Sequence, residues 1–461
     1  MKVTLNHILD TCNALALSSS LAGGGGGSIM LSSIDVTLFP CVLLGLFTAL
    51  AGPASLGRVD FSLLTKLILR VPSMSMSMPH VAVAGHVQQH LGLPVPIPSV
   101  RHLELDGVSV IWNSVSNLKY LSLRELVDER CPSVGELRGM LARSSGTLEW
   151  CKLENVLPMD EADSLDAAMY EADDEPIRLS SLKSFTISAK PLTVASILRS
   201  LSFSPTTQLR LFTSLHPSLH PSLGGDLQDI LPPNYRLGPE VSALRLGRNS
   251  ASFFRQARPS SSSSTPHSSD QVLLISSASP VPLPLTILNS LSSSTGFYYP
   301  YYPSGSIYST TFLTSLDIAV GVLLHLSEQN LRLFLAGAKN LEQIWVGYQC
   351  DLWVLLRALV PTGQVEEASS DAVDVPCPNL RLLSFNKPAD RDRWWKFGEM
   401  WTEAVVELVI LRARFGVKLE RLEFWRCHGI EELAVRARMS EKIMMDSLDS
   451  VVGEVVAGEG Y

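Results

Sequence analysis

A chain of 461 residues with 46% hydrophobic and 18% charged side chains can bury a large core, which excludes a disordered tail. The net charge of -8, with Lys and Arg scattered along the length, argues against a nucleic-acid binder, which needs a clustered basic face. Seven cysteines at 12, 41, 131, 151, 350, 377 and 427 are odd in number and widely spaced. They contain no C-x-x-C pair, which points to a reduced protein of the cytoplasm or nucleus rather than a disulfide-stapled secreted one.

Residues 1–57 read as an irregular low-complexity and apolar N-terminal segment. Asn6, His7 and Asp10 interrupt the place where a signal peptide keeps its apolar centre. The glycines at 23–27 form a flexible break. Residues 36–57 are uncharged and long enough to span a bilayer, but Pro40, Gly45, Gly52 and Pro53 weaken a spanning helix. A membrane-anchored protein is therefore the lesser alternative. Met74, Met76 and Met78 alternate with serine ahead of His80, His86 and His90, a pattern open to soft metal ligation. Nothing in the sequence closes a coordination shell around them, so a low-complexity loop is expected, with no metal and no cofactor.

From Leu64 to the C-terminus the expected unit is a repeat domain over 58–461, interrupted by a low-complexity insertion at 255–311. The pattern L-x-x-L-x-L places apolar residues at positions one, four and six of a short strand. It occurs at Leu64/Leu67/Leu69, Val100/Leu103/Leu105, Leu118/Leu121/Leu123, Leu148/Cys151/Leu153 and Leu182/Phe185/Ile187. Thr206/Leu209/Leu211 fits poorly and Val241/Leu244/Leu246 fits well. After the insertion follow Leu313/Leu316/Ile318, Leu341/Ile344/Val346, Leu380/Leu383/Phe385 and Leu419/Leu422/Phe424, the last extended by Cys427 and Ile430. One such hexad is cheap in a leucine-rich chain, whereas a series of them is not. Leu121, Leu123, Leu422 and Phe424 are expected to point into a continuous core.

Helix signals lie between the strands. Ser133 and Glu136 have capping-box spacing ahead of Val134, Leu137 and Leu141. Asp351 can cap a helix carrying Leu352, Leu355, Leu356 and Leu359, stopped by Pro361. Trp401, Ala404, Val405, Leu408 and Leu411 share one face, with Gly416 as the stop. These features predict an α/β fold, an irregular leucine-rich-repeat solenoid of strand-turn-helix repeats with a parallel sheet on its concave side. The tandem HPSLHPSL at 216–223 and the Ser-, Pro- and Tyr-rich stretch 259–308 are not expected to fold by themselves, and the latter is expected to be an excursion that could be removed without unfolding the repeats. The acidic stretch 160–175 reads as a solvated loop, and Thr265 and Ser279, each before proline, are weak phosphorylation signals.

The series, and above all the cysteine-type unit LERLEFWRCHGIEE together with NLKYLSL and CPNLRLLSF, resembles the leucine-rich half of fungal F-box proteins over residues 64–432. The resemblance implies the substrate-recruiting part of a ubiquitin-ligase receptor, whose F-box docks on a Skp-type adaptor while the repeats choose the target. No L-P-x-E-L-x-x-x-I-F or V-C-x-x-W segment stands before Leu64. An adaptor partner is therefore expected only where an F-box is encoded upstream; a free-standing leucine-rich-repeat interaction protein is the alternative.

No catalytic residue is expected, because the nucleophile elbow, P-loop, H-E-x-x-H and dinucleotide fingerprints are absent. Cys427 beside His428 reads as a structural repeat position, not a thiolate and base. Trp394, Trp395, Phe397 and Trp401 can serve either packing or a partner. In each strand, positions three, five and seven alternate with the buried residues and face the open side. Those columns give Tyr120, Arg124, Trp150, Lys152, Arg245, Trp345, Arg421 and Trp425 as the candidate partner-binding residues, suited to an acidic or mixed peptide segment of a protein partner.

Overall fold

Leucine, isoleucine or valine at every second place gives each strand one apolar face, and the computed structural model pairs the strands in parallel so that these faces form continuous rows. It describes residues 29–30, 32–38, 43, 59–60, 62–71, 92–93, 96–126, 131–156, 175–213, 230–232, 235–255, 271–277, 288, 308–348, 351–362, 375–386, 395–396, 399–425, 427–428 and 452–458. The chain forms two compact units, Met1–Thr207 and Gln208–Tyr461.

In the first unit the main sheet consists of β1 (Ser33–Thr37), β2 (Lys66–Arg70), β3 (His102–Asp106), β4 (Tyr120–Arg124), β5 (Trp150–Glu154) and β6 (Ser184–Ser188). All are parallel and lie side by side in chain order. Register is held across the unit: Leu67, Leu103, Leu121, Cys151 and Phe185 line up, as do Leu69, Leu105, Leu123, Leu153 and Ile187. Every one of these is buried, together with the position-one residues Leu64, Val100, Leu118, Leu148 and Leu182. Ile34 and Val36 of β1 pair with Leu67 and Leu69, so a strand of the same register already exists before residue 58. The series expected to open at Leu64 therefore starts one strand earlier.

A recurring backbone stitch sets the entry of each strand. The carbonyl of Thr65 accepts the amides of Arg101 and His102, that of Arg101 accepts Lys119 and Tyr120, and that of Lys119 accepts Glu149 and Trp150. The exit is set by left-handed residues at position eight, Gly107 (φ 68), Glu125 (φ 46) and Asn155 (φ 52). Their amides extend the ladder to Arg124, Glu154 and Ser188 of the next strand. Replacing Gly107 with alanine should cost about 1–2 kcal/mol, because an L side chain in this region brings Cβ against the following carbonyl. The new Cβ would also stand 3.4 Å from Val71. A urea midpoint identical to the parent's would show that this turn carries no strain.

Between β4 and β5, α1 (Val134–Arg143) has the expected capping box: the Glu136 amide donates to Ser133 Oγ at 3.2 Å and the Ser133 amide to Glu136 Oε2 at 3.0 Å. Its Leu137, Met140 and Leu141 are buried. After β6, α2 (Pro191–Arg199) starts on Pro191, which presets the first helical φ. The shorter crossover from β3 to β4 uses a single 3-10 turn, Trp112–Ser114.

In the second unit the strands are β7 (Gln208–Phe212), β8 (Val241–Gly247), β9 (Ser250–Arg255), β10 (Gln271–Ser276), β11 (Ser315–Ile318), β12 (Gln343–Val346), β13 (Leu382–Phe385), β14 (Leu419–Trp425) and β15 (Val452–Gly458). From β8 through β11, β12, β13 and β14 to β15 they run parallel, with Leu244, Leu316, Ile344, Leu383, Leu422 and Val455 in one register. β9 is different. It turns back from β8 as an antiparallel hairpin and pairs antiparallel with β10, which in turn lies parallel to β7.

The insertion is thus only partly an excursion. β10 is interior to the sheet, Val272, Leu273 and Ile275 are buried, and Tyr308 at 1% exposure donates its hydroxyl to the Val241 carbonyl at 2.7 Å. Deleting 259–308 would remove a central strand and a core tyrosine, contrary to the expectation from composition. The reason is local: QVLLIS is a short strand-forming run inside a serine-rich context that hides it. The stretch 216–223, the acidic residues 160–174, Thr265 and Ser279 lie outside the described residues.

The outer layer of this unit holds α3 (Glu328–Gly337), α4 (Trp353–Leu359) and α5 (Glu399–Arg414), with α4 packed between the other two. Ser327 caps α3 by accepting the Asn330 amide at 3.1 Å. Asp351 does not cap α4. The N-cap position falls on Leu352, which makes no side-chain cap bond and is fully buried with Leu355 and Leu359. On α5, Ala404, Val405 and Leu408 are buried as expected and Gly416 (φ 77) ends the helix, while Leu411 is only half-buried. Among the described residues no helix is long and apolar enough to cross a membrane.

Candidate interaction face

The open face of each sheet is built by positions three, five and seven, and in the first unit these form three rows across the strands. Row three runs Lys66, His102, Tyr120, Trp150 and Ser184. His102 and Tyr120 stack with ring centroids 4.2 Å apart and planes within 3°. Trp150, in register beside Tyr120, is 46% exposed. Burial, with a further contribution from Lys66, holds the His102 imidazole below its ordinary value, so at neutral pH it stacks as an uncharged ring.

Rows five and seven carry charges that satisfy one another. Arg70 Nε meets Glu104 Oε1 at 2.9 Å and its Nη1 meets Asp35 Oδ1 at 3.3 Å. Glu154 is ion-paired with both Arg124, whose Nε lies 3.1 Å away, and Lys152 at 2.8 Å. Ser122, between Glu104 and Lys152 in register and between Tyr120 and Arg124 on its own strand, is overshadowed to full burial despite its open-face position. Alternation therefore describes the face only in part: short side chains sink between long neighbours.

The sequence-selected residues fall into two groups. Tyr120 and Trp150 are adjacent in row three, and Arg124 and Lys152 converge on Glu154. In the second unit, Arg245 and Trp345 share one row across Asp317, with Arg245 Nε 3.7 Å from the Asp317 carboxylate. Arg421 and Trp425 share Glu423: the Arg421 guanidinium lies 2.6 Å from Oε1, and the Trp425 indole N–H donates to Oε2 at 2.9 Å. Arg421 also reaches Glu454 on β15 at 3.4 Å. Trp345 and Trp425 are half-buried, so only Trp150 among the selected tryptophans offers a large exposed surface.

Reading the columns for aromatics and arginines alone misses the partners of those residues. His102, Glu104, Glu154, Asp317 and Glu423 occupy the same columns and could have been read from them. Each selected cation meets at least one carboxylate.

Other chemistry is constrained by burial. Cys151 and Cys377 are buried free thiols, and Cys131 donates its Sγ–H to the Leu126 carbonyl at 3.1 Å. Burial pushes the Cys427 thiol up to about 12 and its Sγ donates to the Trp425 carbonyl at 3.3 Å, both of which favour the protonated thiol at neutral pH. Trp401 packs against Trp353 with centroids 5.3 Å apart. Trp394, Phe397 and the Met and His residues at 74–90 lie outside the described residues. Among the described residues no three His, Cys, Asp or Glu side chains gather as a metal site. No family model and no curated protein sequence matches the chain.

Proposed function

We propose that this chain is a non-enzymatic leucine-rich-repeat scaffold that binds a protein partner on the open face of its sheet, as the substrate-recruiting part of an F-box type ubiquitin-ligase receptor. The observation that carries the binding reading is the aromatic row of the first unit, in which His102 stacks on Tyr120 and an exposed Trp150 continues the line. Rigid aromatic side chains on a strand lose little freedom on binding and dominate interface energetics. The ligase assignment rests on the sequence resemblance of the repeat units to fungal F-box proteins.

Affinity capture from a fungal extract with the full chain, followed by the Trp150→Ala variant, tests both parts. Trp150→Ala should lose the captured partner while its unfolding curve stays within about half a kcal/mol of the parent, since an exposed residue is removed. A Skp-type adaptor captured by a product that includes any F-box encoded upstream supports the receptor assignment; a partner captured by that product without an adaptor supports the free-standing scaffold. Undiminished capture by Trp150→Ala, together with loss in an outer-layer variant such as Leu333→Glu, would place the binding surface elsewhere.

A further inference from the structure

The rim where the strands of the first unit begin carries a charge pattern that the rest of the open face lacks. Position two of successive repeats is occupied by Arg101, Lys119, Glu149 and Lys183, held in line by the backbone stitch described above. Arg101 donates one N–H to the Asn117 carbonyl at 2.7 Å and makes no ion pair among the described residues. Lys119 is exposed and makes no ion pair among them, its charge acting on Glu149 from a distance, behind the direct contact of Lys183. Glu149 is taken by Lys183 at 2.6 Å. The rim is therefore basic, in a chain of net charge -8, and it borders the aromatic row directly. The equivalent rim of the second unit differs: Glu342 stands there, and Arg381 is matched by Glu420 at 3.4 Å.

Resting on the reading of this face as a protein-binding surface, we infer that its partner segment is an acidic peptide with aromatic or other apolar residues spaced between its carboxylates. The apolar residues lie on Tyr120 and Trp150, and the carboxylates meet Arg101 and Lys119. Rows five and seven do not compete for those carboxylates, because Arg70, Arg124 and Lys152 are occupied by acids of this chain. The same rows disfavour a nucleic-acid strand. A phosphate backbone repeats its charge at every step and would run over Glu104 and Glu154, whereas a peptide can place its charges on the rim alone.

The test uses the full chain and fluorescence anisotropy with a labelled synthetic peptide of about ten residues alternating glutamate with tryptophan, an extended probe suited to a sheet surface. Controls are the same peptide with lysine for glutamate, a uridine oligonucleotide, and phosphatidylserine vesicles. The acidic peptide should bind and the lysine peptide should not. Lys119→Glu and Trp150→Ala should each weaken binding about ten-fold or more, equivalent to at least about 1.4 kcal/mol. Added salt should weaken binding, and Arg381→Glu on the other unit's rim should leave it unchanged.

Equal binding of the lysine peptide, binding of no peptide, an ineffective Lys119→Glu, or preferential binding of the oligonucleotide or vesicles would each overturn the acidic-peptide assignment. Extract capture separates this from failure of the broader reading. Capture that depends on Trp150 but not Lys119 leaves the scaffold in place without the acidic preference; capture that depends on neither removes both.

Discussion

Replacing Arg412 with methionine should destabilise the chain by about 3 kcal/mol or more, the largest effect expected of any single charged residue here. Arg412 lies on α5 with 0% exposure. Its Nη2 donates to the Cys377 carbonyl at 2.7 Å, and its Nη1 to the carbonyls of Pro376 at 2.8 Å and Leu359 at 3.4 Å. One guanidinium thus joins three elements: α5, the last residue of α4, and the turn that precedes β13. The cation sits where the α4 carbonyls present the negative end of that helix, which favours it there. Burial pulls its pKa down, a sign that keeping the charge inside is costly. The hydrogen bonds from Nη1 and Nη2 offset part of that cost, while the buried Nε makes none among the described residues. Methionine preserves most of the stem but supplies no donor, leaving the Pro376 carbonyl buried without this partner. Lysine keeps the charge but not the planar fork, so Arg412→Lys should lose an intermediate amount. Urea unfolding of the two variants decides the matter: a methionine variant within about half a kcal/mol of the parent would mean that the contact contributes nothing net.

Arg412 also marks where sequence periodicity stops being informative. The helical stripe through Ala404, Val405 and Leu408 reaches 411 and 412 next, and the apolar pattern selects Leu411. The fold instead buries Arg412, because carbonyl groups brought by α4 and the turn at 376–377 make that position polar. No local pattern contains those groups. Strand register, in contrast, was legible from Leu64 to Phe424, since positions one, four and six are set by packing against neighbouring copies of the same pattern. It failed where the side chains are small or the context is misleading. In β15, Val452, Val455 and Ala457 align with Leu419, Leu422 and Phe424, but valine, glycine and alanine in VGEVVAG give no leucine signal. β10 is concealed by serine and proline on either side. The candidate face was legible as columns, but its electrostatics were not, because choosing arginines without the acids of the same columns overstates the available positive charge.

Replacing Leu422 with alanine should cost about 2–5 kcal/mol, and the neighbouring Arg421→Ala about 0–1 kcal/mol. The two residues are adjacent on β14 and separate the two faces of the sheet. Leu422 is 1% exposed and stands in register between Leu383 and Val455, so truncation opens a cavity flanked by side chains on both sides. The backbone is fixed by ladders to β13 and β15 and cannot collapse readily into that space. One residue farther along the same face, Phe424 stacks on Phe385 with centroids 5.3 Å apart, which further restricts repacking. Arg421 lies on the opposite face with its side chain 44% exposed, so solvent weakens its pairs, most of all the one with Glu454, while Glu423 keeps its bond from the Trp425 indole when Arg421 is removed. Denaturant unfolding of both variants, followed by tryptophan fluorescence, distinguishes the faces. If Leu422→Ala loses less than about half a kcal/mol while Arg421→Ala loses several, the strand presents the opposite face to the core and every column read from it shifts by one residue.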